Sequence, residues 1–337
     1  MCGGYSLNKI ARASQRERED LFITTAREID LPEAMVEKDF WVCWTLEYLF
    51  QQSPWTDKLA FKGGTSLSKC FGLINRFSED IDVVLDWRLL GYNTKDLWAE
   101  RSRTQQEKIN KETIVKTSEY LHSVLLPKIQ KDFSSMLSDD FSVYIDSEDP
   151  QTVCFSYPRI FSEIAIVSVV RIEMGVLAAW TPVQYGTVTS YAAQEYPQLF
   201  KNLSTQILTV APKRTFWEKI TILHKEAFRS DKKFPSRYSR HYYDLYCMER
   251  SVVKEQAFGD LDLLDQVVKF KSKFYPASSA HYDLACPGSM RLMPPDDCLR
   301  IIRNDYDHMK NMIFGEQPEF SEMMDCIYKL EQEVNNL

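Results

Sequence analysis

Several signatures are missing from this sequence, and each absence removes a class of protein. The eight cysteines (positions 2, 43, 70, 154, 247, 286, 298 and 326) include no CxxC pair and sit beside no histidine cluster. That excludes a zinc ribbon and a small disulfide framework, and points to reduced thiols. The five histidines (122, 224, 241, 281 and 308) are dispersed, without spacing that would support a nucleophile–histidine triad. No apolar run approaches the ~20 residues of a membrane span. The polar start MCGGYSLNKIARASQRERED has no apolar signal-peptide core. Gly3 and Gly4 miss the second position that myristoylation needs. The expectation is a cytoplasmic protein without a membrane partner. A basic excess is missing too: the net charge of −7 argues against a general nucleic-acid coat. There is no internal repeat and no low-complexity tract.

What remains is ordinary globular composition, with 44% hydrophobic and 13% aromatic residues, ample for a core. A length of 337 residues allows two domains. Against the acidic background, residues 210–242 carry nine Lys or Arg (213, 214, 219, 225, 229, 232, 233, 237, 240) and three acids (218, 226, 231). Two readings stand: a polyanion partner, or a solvated helix face. Phe216, Trp217, Phe228 and Phe234, mixed among these lysines, could stack RNA bases, although that spacing more often marks a helix core.

Periodicity predicts a charged helical stretch over 5–30 and an amphipathic helix over 33–50 with Val36, Phe40, Trp44 and Tyr48 on one stripe. A short strand at 59–61 runs into Gly63-Gly64 and a helix over 65–73, and a β-branched strand covers 81–85. A helical insertion follows near 94–135, then strands over 141–146, 152–157 and within 164–176. Helices are expected over 213–230, 240–252, 298–313 and 318–335, with an irregular stretch at 275–297. The fold class is therefore α+β: an α/β region with a mixed sheet over 1–200, and a mainly helical region over 201–337.

The chemistry concentrates at Phe77-Ser78-Glu79-Asp80-Ile81-Asp82-Val83-Val84-Leu85. On a strand Asp80 and Asp82 point the same way, with Cα atoms roughly 6.5 Å apart, while Ile81 and Val83 enter the core. Two carboxylates so placed repel, and a divalent cation resolves the conflict; oxygen ligands favour Mg²⁺ or Mn²⁺. A lone DxD is weak, since most such pairs are solvated. Its context strengthens it: Gly63-Gly64-Thr65-Ser66 follows a strand and opens a helix sixteen residues before Asp80. Glycine lets a phosphate approach the backbone, a helix start offers unpaired N–H groups, and Ser66 adds a hydroxyl. Alone, that turn reads better as a Gly-Gly turn whose Thr caps a helix. Together the two suit a nucleoside triphosphate (NTP) held by metals about 3.5–4 Å apart. Glu173, an acid in the otherwise apolar Val170-Arg171-Ile172-Glu173-Met174, is the candidate third carboxylate. The competing reading is an ion pair with Arg171 on the same strand face.

These segments resemble a known family. Glu37-Lys38-Asp39-Phe40-Trp41, Phe61-Lys62-Gly63-Gly64-Thr65-Ser66-Leu67-Ser68-Lys69 and Arg76-Phe77-Ser78-Glu79-Asp80-Ile81-Asp82 are similar to motifs of the AbiEii/AbiGii (MenA-like) nucleotidyltransferase toxins. So are Arg171-Ile172-Glu173-Met174-Gly175, Thr215-Phe216-Trp217-Glu218-Lys219 and Arg240-His241-Tyr242-Tyr243-Asp244-Leu245-Tyr246, in family order. The resemblance implies a DNA polymerase β-like nucleotidyltransferase core and a toxin of a toxin–antitoxin or abortive-infection (phage defence) system. It implies transfer of NMP to an RNA such as the tRNA 3′ end, and a cognate antitoxin. By the same carry-over Gly64 and Ser66 hold the triphosphate, Asp80 and Asp82 the metal, Lys219 the phosphates, and Asp244 completes the site. His241 departs from the family pattern, which commonly has an acid or similar polar residue there, and so leaves the charge around Asp244 open.

From the residues alone, Lys219 reads as a surface lysine and Asp244 as a helix acid pairing Arg240. Arg76 reads as a contact to a phosphate or the RNA backbone, or equally as a partner of Glu79. Lys38 and Asp39 read as braces of the sheet, and Ser78 as a cap or a modifiable hydroxyl. Two further functions stay open at this point: NTP-dependent phosphoryl transfer to protein, and a non-catalytic module that binds RNA or an antitoxin.

Overall fold

The computed structural model describes residues 6–163, 166–176, 181–229 and 234–337. The expectations attached to Cys2, Gly3, Gly4, Asp231, Lys232 and Lys233 lie outside the described residues. The chain divides into two compact units: residues 1–70 with 79–209, and residues 71–78 with 210–337.

The first unit is built on a mixed sheet of seven strands. They are β1 (Leu59–Lys62), β2 (Ile81–Leu85), β3 (Ser142–Ile145), β4 (Thr152–Ser156), β5 (Val170–Gly175), β6 (Val183–Val188) and β7 (Thr205–Val210, whose last residue belongs to the second unit). Their order across the sheet is β3-β4-β5-β2-β1-β7-β6. β2 runs antiparallel to β1 and parallel to β5, while β4 runs antiparallel to both β5 and β3. The α+β class with a mixed sheet is thus met.

Alternation sorts the two faces of this sheet. Phe61, Ile81, Val83, Val143, Val153, Phe155, Val170 and Ile172 join the core, where helices Glu33–Glu47 and Leu126–Met136 pack. Edge-on aromatic pairs lock that side: Trp44–Phe133 at 4.7 Å, Phe133–Phe155 at 4.8 Å and Trp41–Phe155 at 5.8 Å between ring centres. The opposite face carries Lys62, Asp82, Glu173 and Thr152 in one row, because these four are direct register partners across β1, β2, β5 and β4.

The helix over 33–47 departs from the amphipathic expectation. Every residue from Ala34 to Leu46 is buried, charged ones included. It is enclosed because helix Gln15–Ile29 covers the side away from the sheet. Its buried charges are compensated individually. Glu37 accepts from the N–H groups of Ile160 (2.8 Å) and Phe161 (3.0 Å). Lys38 donates to the carbonyls of Val167 (2.6 Å) and Val169 and lies 3.4 Å from Glu79. Asp39 pairs with Lys69 and accepts from Tyr191 N–H at 2.7 Å. Lys38 thus holds the backbone leading into β5, while Asp39 ties helix Glu33–Glu47 to Lys69 and Tyr191, on helices Gly63–Lys69 and Tyr191–Glu195.

Strands β6 and β7 were not anticipated in the stretch after Pro182. β7 pairs parallel to β1 through Phe61 and Thr209, so the sheet is not complete until residue 210.

The second unit is helical: Pro212–Ala227, Arg240–Glu249, Val252–Phe258, Leu261–Phe274, Asp296–Met309 and Phe320–Asn335. Residues 71–78 belong here because they bond to 312–314. Phe77 N–H donates to Met312 O, Phe314 N–H donates to Asn75 O, both at 2.7 Å, and Arg76 bridges Ile313. Four of the nine basic residues of the stretch pair with acids within this unit. Lys213 pairs with Asp260, Arg214 with Glu218, Lys219 with Asp244 and Arg229 with Glu226. Phe216 and Trp217 are fully buried, so neither can stack a base. Among the described residues, no helix is long and apolar enough to cross a membrane.

Candidate active site

β1 ends at Gly63, whose φ of +78° suits glycine. The reason for glycine is on the neighbouring strand. A Cβ on Gly63 would lie 1.9 Å from Asp82 Oδ2 and 2.7 Å from Asp82 Cγ. The carboxylate of Asp82 therefore packs against the bare Cα of the turn. Gly64 and Thr65 continue into helix Gly63–Lys69. Thr65 Oγ1 donates to Asp80 O at 2.6 Å and so ties the turn to the start of β2. Ser66 Oγ donates to Gly63 O at 2.8 Å, and its side chain is fully buried. The hydroxyl that the sequence offered to a phosphate is engaged by the Gly63 carbonyl.

Asp82 and Glu173 are direct partners in the parallel β2–β5 pair. Glu173 feels this placement: burial first, then the charges of Asp82 and Asp80, push its carboxyl up to about 7. Arg171 lies only at the margin of an ion pair with Glu173, 3.9 Å away. Its closer partner is Asp146, which the sequence reading missed. Asp146 is itself fixed by the N–H groups of Glu148 (2.8 Å) and Asp149 (3.1 Å). A Glu173–Arg171 pair therefore does not use up Glu173.

Asp80, just before β2, Asp82 on β2 and Glu173 on β5 offer hard oxygen donors, with the Asp82 carboxylate occupying the space that the bare Gly63 leaves. This donor chemistry fits Mg²⁺ or Mn²⁺. Among the described residues, no group of three His, Cys, Asp or Glu side chains is already gathered as a metal cluster. The three acids share a region of the sheet without closing round one point.

In the second unit Lys219 and Asp244 meet, and Arg76 meets them. Asp244 accepts from Arg76 Nε (2.6 Å), Arg76 Nη2 (2.8 Å) and Lys219 Nζ (2.7 Å). Asp244 is fully buried, and the two cations almost so. Burial alone would raise its carboxyl, but the charges of Arg76 and Lys219 outweigh it and hold the group well below the usual carboxylate range. Burial likewise pulls Lys219 below its ordinary value and His241, one turn before Asp244, far below its own. The expected pair of Asp244 with Arg240 gives way to this arrangement, in which Arg76 is a partner of Asp244. Asp244 and Arg76 are 168 positions apart, so no local spacing signals the contact.

A search of curated proteins found no match. Among solved structures, this chain is similar to MenT4, nucleotidyltransferase toxin Rv2826c from Mycobacterium tuberculosis H37Rv. The identity is 15% over 94% of this chain and 97% of that one, with a TM-score of 0.40. The family model described as "Nucleotidyl transferase AbiEii toxin, Type IV TA system" matches residues 44–326, a span that takes in both carboxylate strands, the Gly-Gly turn, Lys219 and Asp244. The chain belongs to the AbiEii toxin family of type IV toxin–antitoxin systems and is a nucleotidyltransferase.

Proposed function

We propose that the enzyme transfers NMP from an NTP to the 3′-hydroxyl of an RNA acceptor such as tRNA, with Mg²⁺ or Mn²⁺, and that a cognate antitoxin restrains it. The observation that carries this reading is the Asp82 carboxylate, packed on the Gly63 turn and in register with Glu173. In this reading the backbone at Gly63, Gly64, Thr65 and Ser66 receives the triphosphate. Asp80 and Asp82 hold the cation and Glu173 completes its ligands. A bound divalent cation would neutralise phosphate charge and orient the reacting groups. The acceptor oxygen forms a bond to the α-phosphorus while the bond to the β-phosphate oxygen breaks, releasing pyrophosphate. One of the carboxylates takes the hydroxyl proton. Lys219 serves the phosphates, and Asp244 sets its position.

The test incubates purified protein with total tRNA, Mg²⁺ and each α-labelled NTP, with Asp80→Ala as control. Label in tRNA with the wild type alone supports the reading and identifies the nucleotide. Equal labelling by Asp80→Ala removes it. γ-label passing to protein instead would move the assignment to phosphoryl transfer.

A further inference from the structure

The row of acids continues, on the same sheet face, into groups that no role above uses. Arg171 is the register partner of Cys154, and Cys154 of Tyr144 on edge strand β3. Tyr144 is 43% exposed, on the face opposite the buried Val143. Tyr144 thus stands beside Cys154 on the sheet face, with much of its ring surface exposed. Arg171 is one-third exposed and anchored by Asp146, which its own turn holds rigid. The strands place Tyr144 about 10 Å from Arg171, two inter-strand spacings. Glu173 follows directly, with its Oε1 3.9 Å from Arg171 Nε.

We infer that Tyr144 and Arg171 form an entry track for the single-stranded 3′ end of the acceptor RNA. The inference rests on the nucleotidyl-transfer reading. Attacking and leaving oxygens lie roughly in line across the transferred phosphorus. The triphosphate turn stands at the end of β1, and the acids follow on β2 and β5. A nucleophile in line with that leaving group arrives from the far side, over β5, β4 and β3. Aromatic rings accept any base by stacking, and a guanidinium held in place accepts a backbone phosphate. Asp146, Asp149 and Glu173 make this neighbourhood acidic. A polyanion therefore needs a fixed cation here, and Asp146 supplies the fixing.

The test titrates a fluorescent single-stranded oligoribonucleotide with the full chain at several salt concentrations, alongside steady-state kinetics with total tRNA. Arg171→Gln, Arg171→Lys and Tyr144→Ala are compared with the wild type. Tyr144→Ala is expected to weaken RNA binding by about tenfold. Arg171→Gln is expected to weaken it and to lower the slope of log K against log salt by about 0.7, one phosphate contact on a single strand. Arg171→Lys keeps that slope. KM for tRNA rises in Tyr144→Ala and Arg171→Gln, while KM for the NTP stays at the wild-type value, which also reports an intact sheet. Wild-type RNA binding with unchanged affinity and slope in both variants overturns the track and leaves the RNA reading standing. A wild type that neither binds nor labels RNA overturns both.

Discussion

At Gly63 a single methyl group would collide with the Asp82 carboxylate, so Gly63→Ala forces that carboxylate off its position. Displacement of about 1 Å at a reacting centre can cost ~100-fold in rate. Gly63→Ala is expected to lose at least that much label incorporation while keeping the wild-type circular dichroism spectrum, and full activity would refute the packing argument. Glu173 gives a second prediction. Its folded carboxyl, at about 7, lies above the usual value, so the folded state holds a proton there that the unfolded chain has released. Stability from this group is present at low pH and declines as pH rises through about 7. A divalent cation binds the ionised form, so Mg²⁺ should raise the melting temperature more at pH 8 than at pH 5.5. Glu173→Gln should flatten that difference; an identical Mg²⁺ effect at both pH values in the wild type would show that Glu173 takes no part.

At the scale of elements, the buried trio in the second unit separates stability from activity. Asp244→Ala strands two buried cations, a loss of about 3–5 kcal/mol, or a melting temperature lower by roughly 10 °C. Lys219→Met leaves the Arg76–Asp244 pair whole, and should melt nearer the wild type while losing incorporation. Equal melting of the two variants would contradict the trio. What the sequence disclosed follows from distance along the chain. Gly63, Gly64, Asp80 and Asp82 lie within twenty positions of one another, at or beside consecutive elements, so a local pattern brings them to notice. No local spacing signals the Arg171–Asp146 and Arg76–Asp244 pairs, because the partners are 25 and 168 positions apart. β6 stayed hidden because Gln184, Tyr185 and Gly186 interrupt its apolar pattern. The helix over 33–47 looked amphipathic because its buried acids and lysine are compensated by groups far along the chain.

At the scale of the molecule, neither unit is one continuous stretch of chain. A fragment ending at 200 omits β7, which stands between β1 and β6 in the sheet. Such a fragment should be protease-sensitive and poorly folded, whereas a fragment ending at 211 restores all seven strands. Comparable protease resistance of the two would show that β7 is dispensable. Both lack Lys219 and Asp244, so neither is expected to label RNA.

The separation of Arg76 from Asp244 also has a consequence in time. At about 5–20 residues per second of synthesis, 168 positions correspond to roughly 8–34 s on a translating ribosome. Through that interval the nascent chain already carries Asp80 and Asp82 yet lacks Asp244, and for most of it lacks Lys219 as well. In the nucleotidyl-transfer reading the host cell is thereby shielded from partly made copies, because harm begins only when the last third of the polypeptide has emerged.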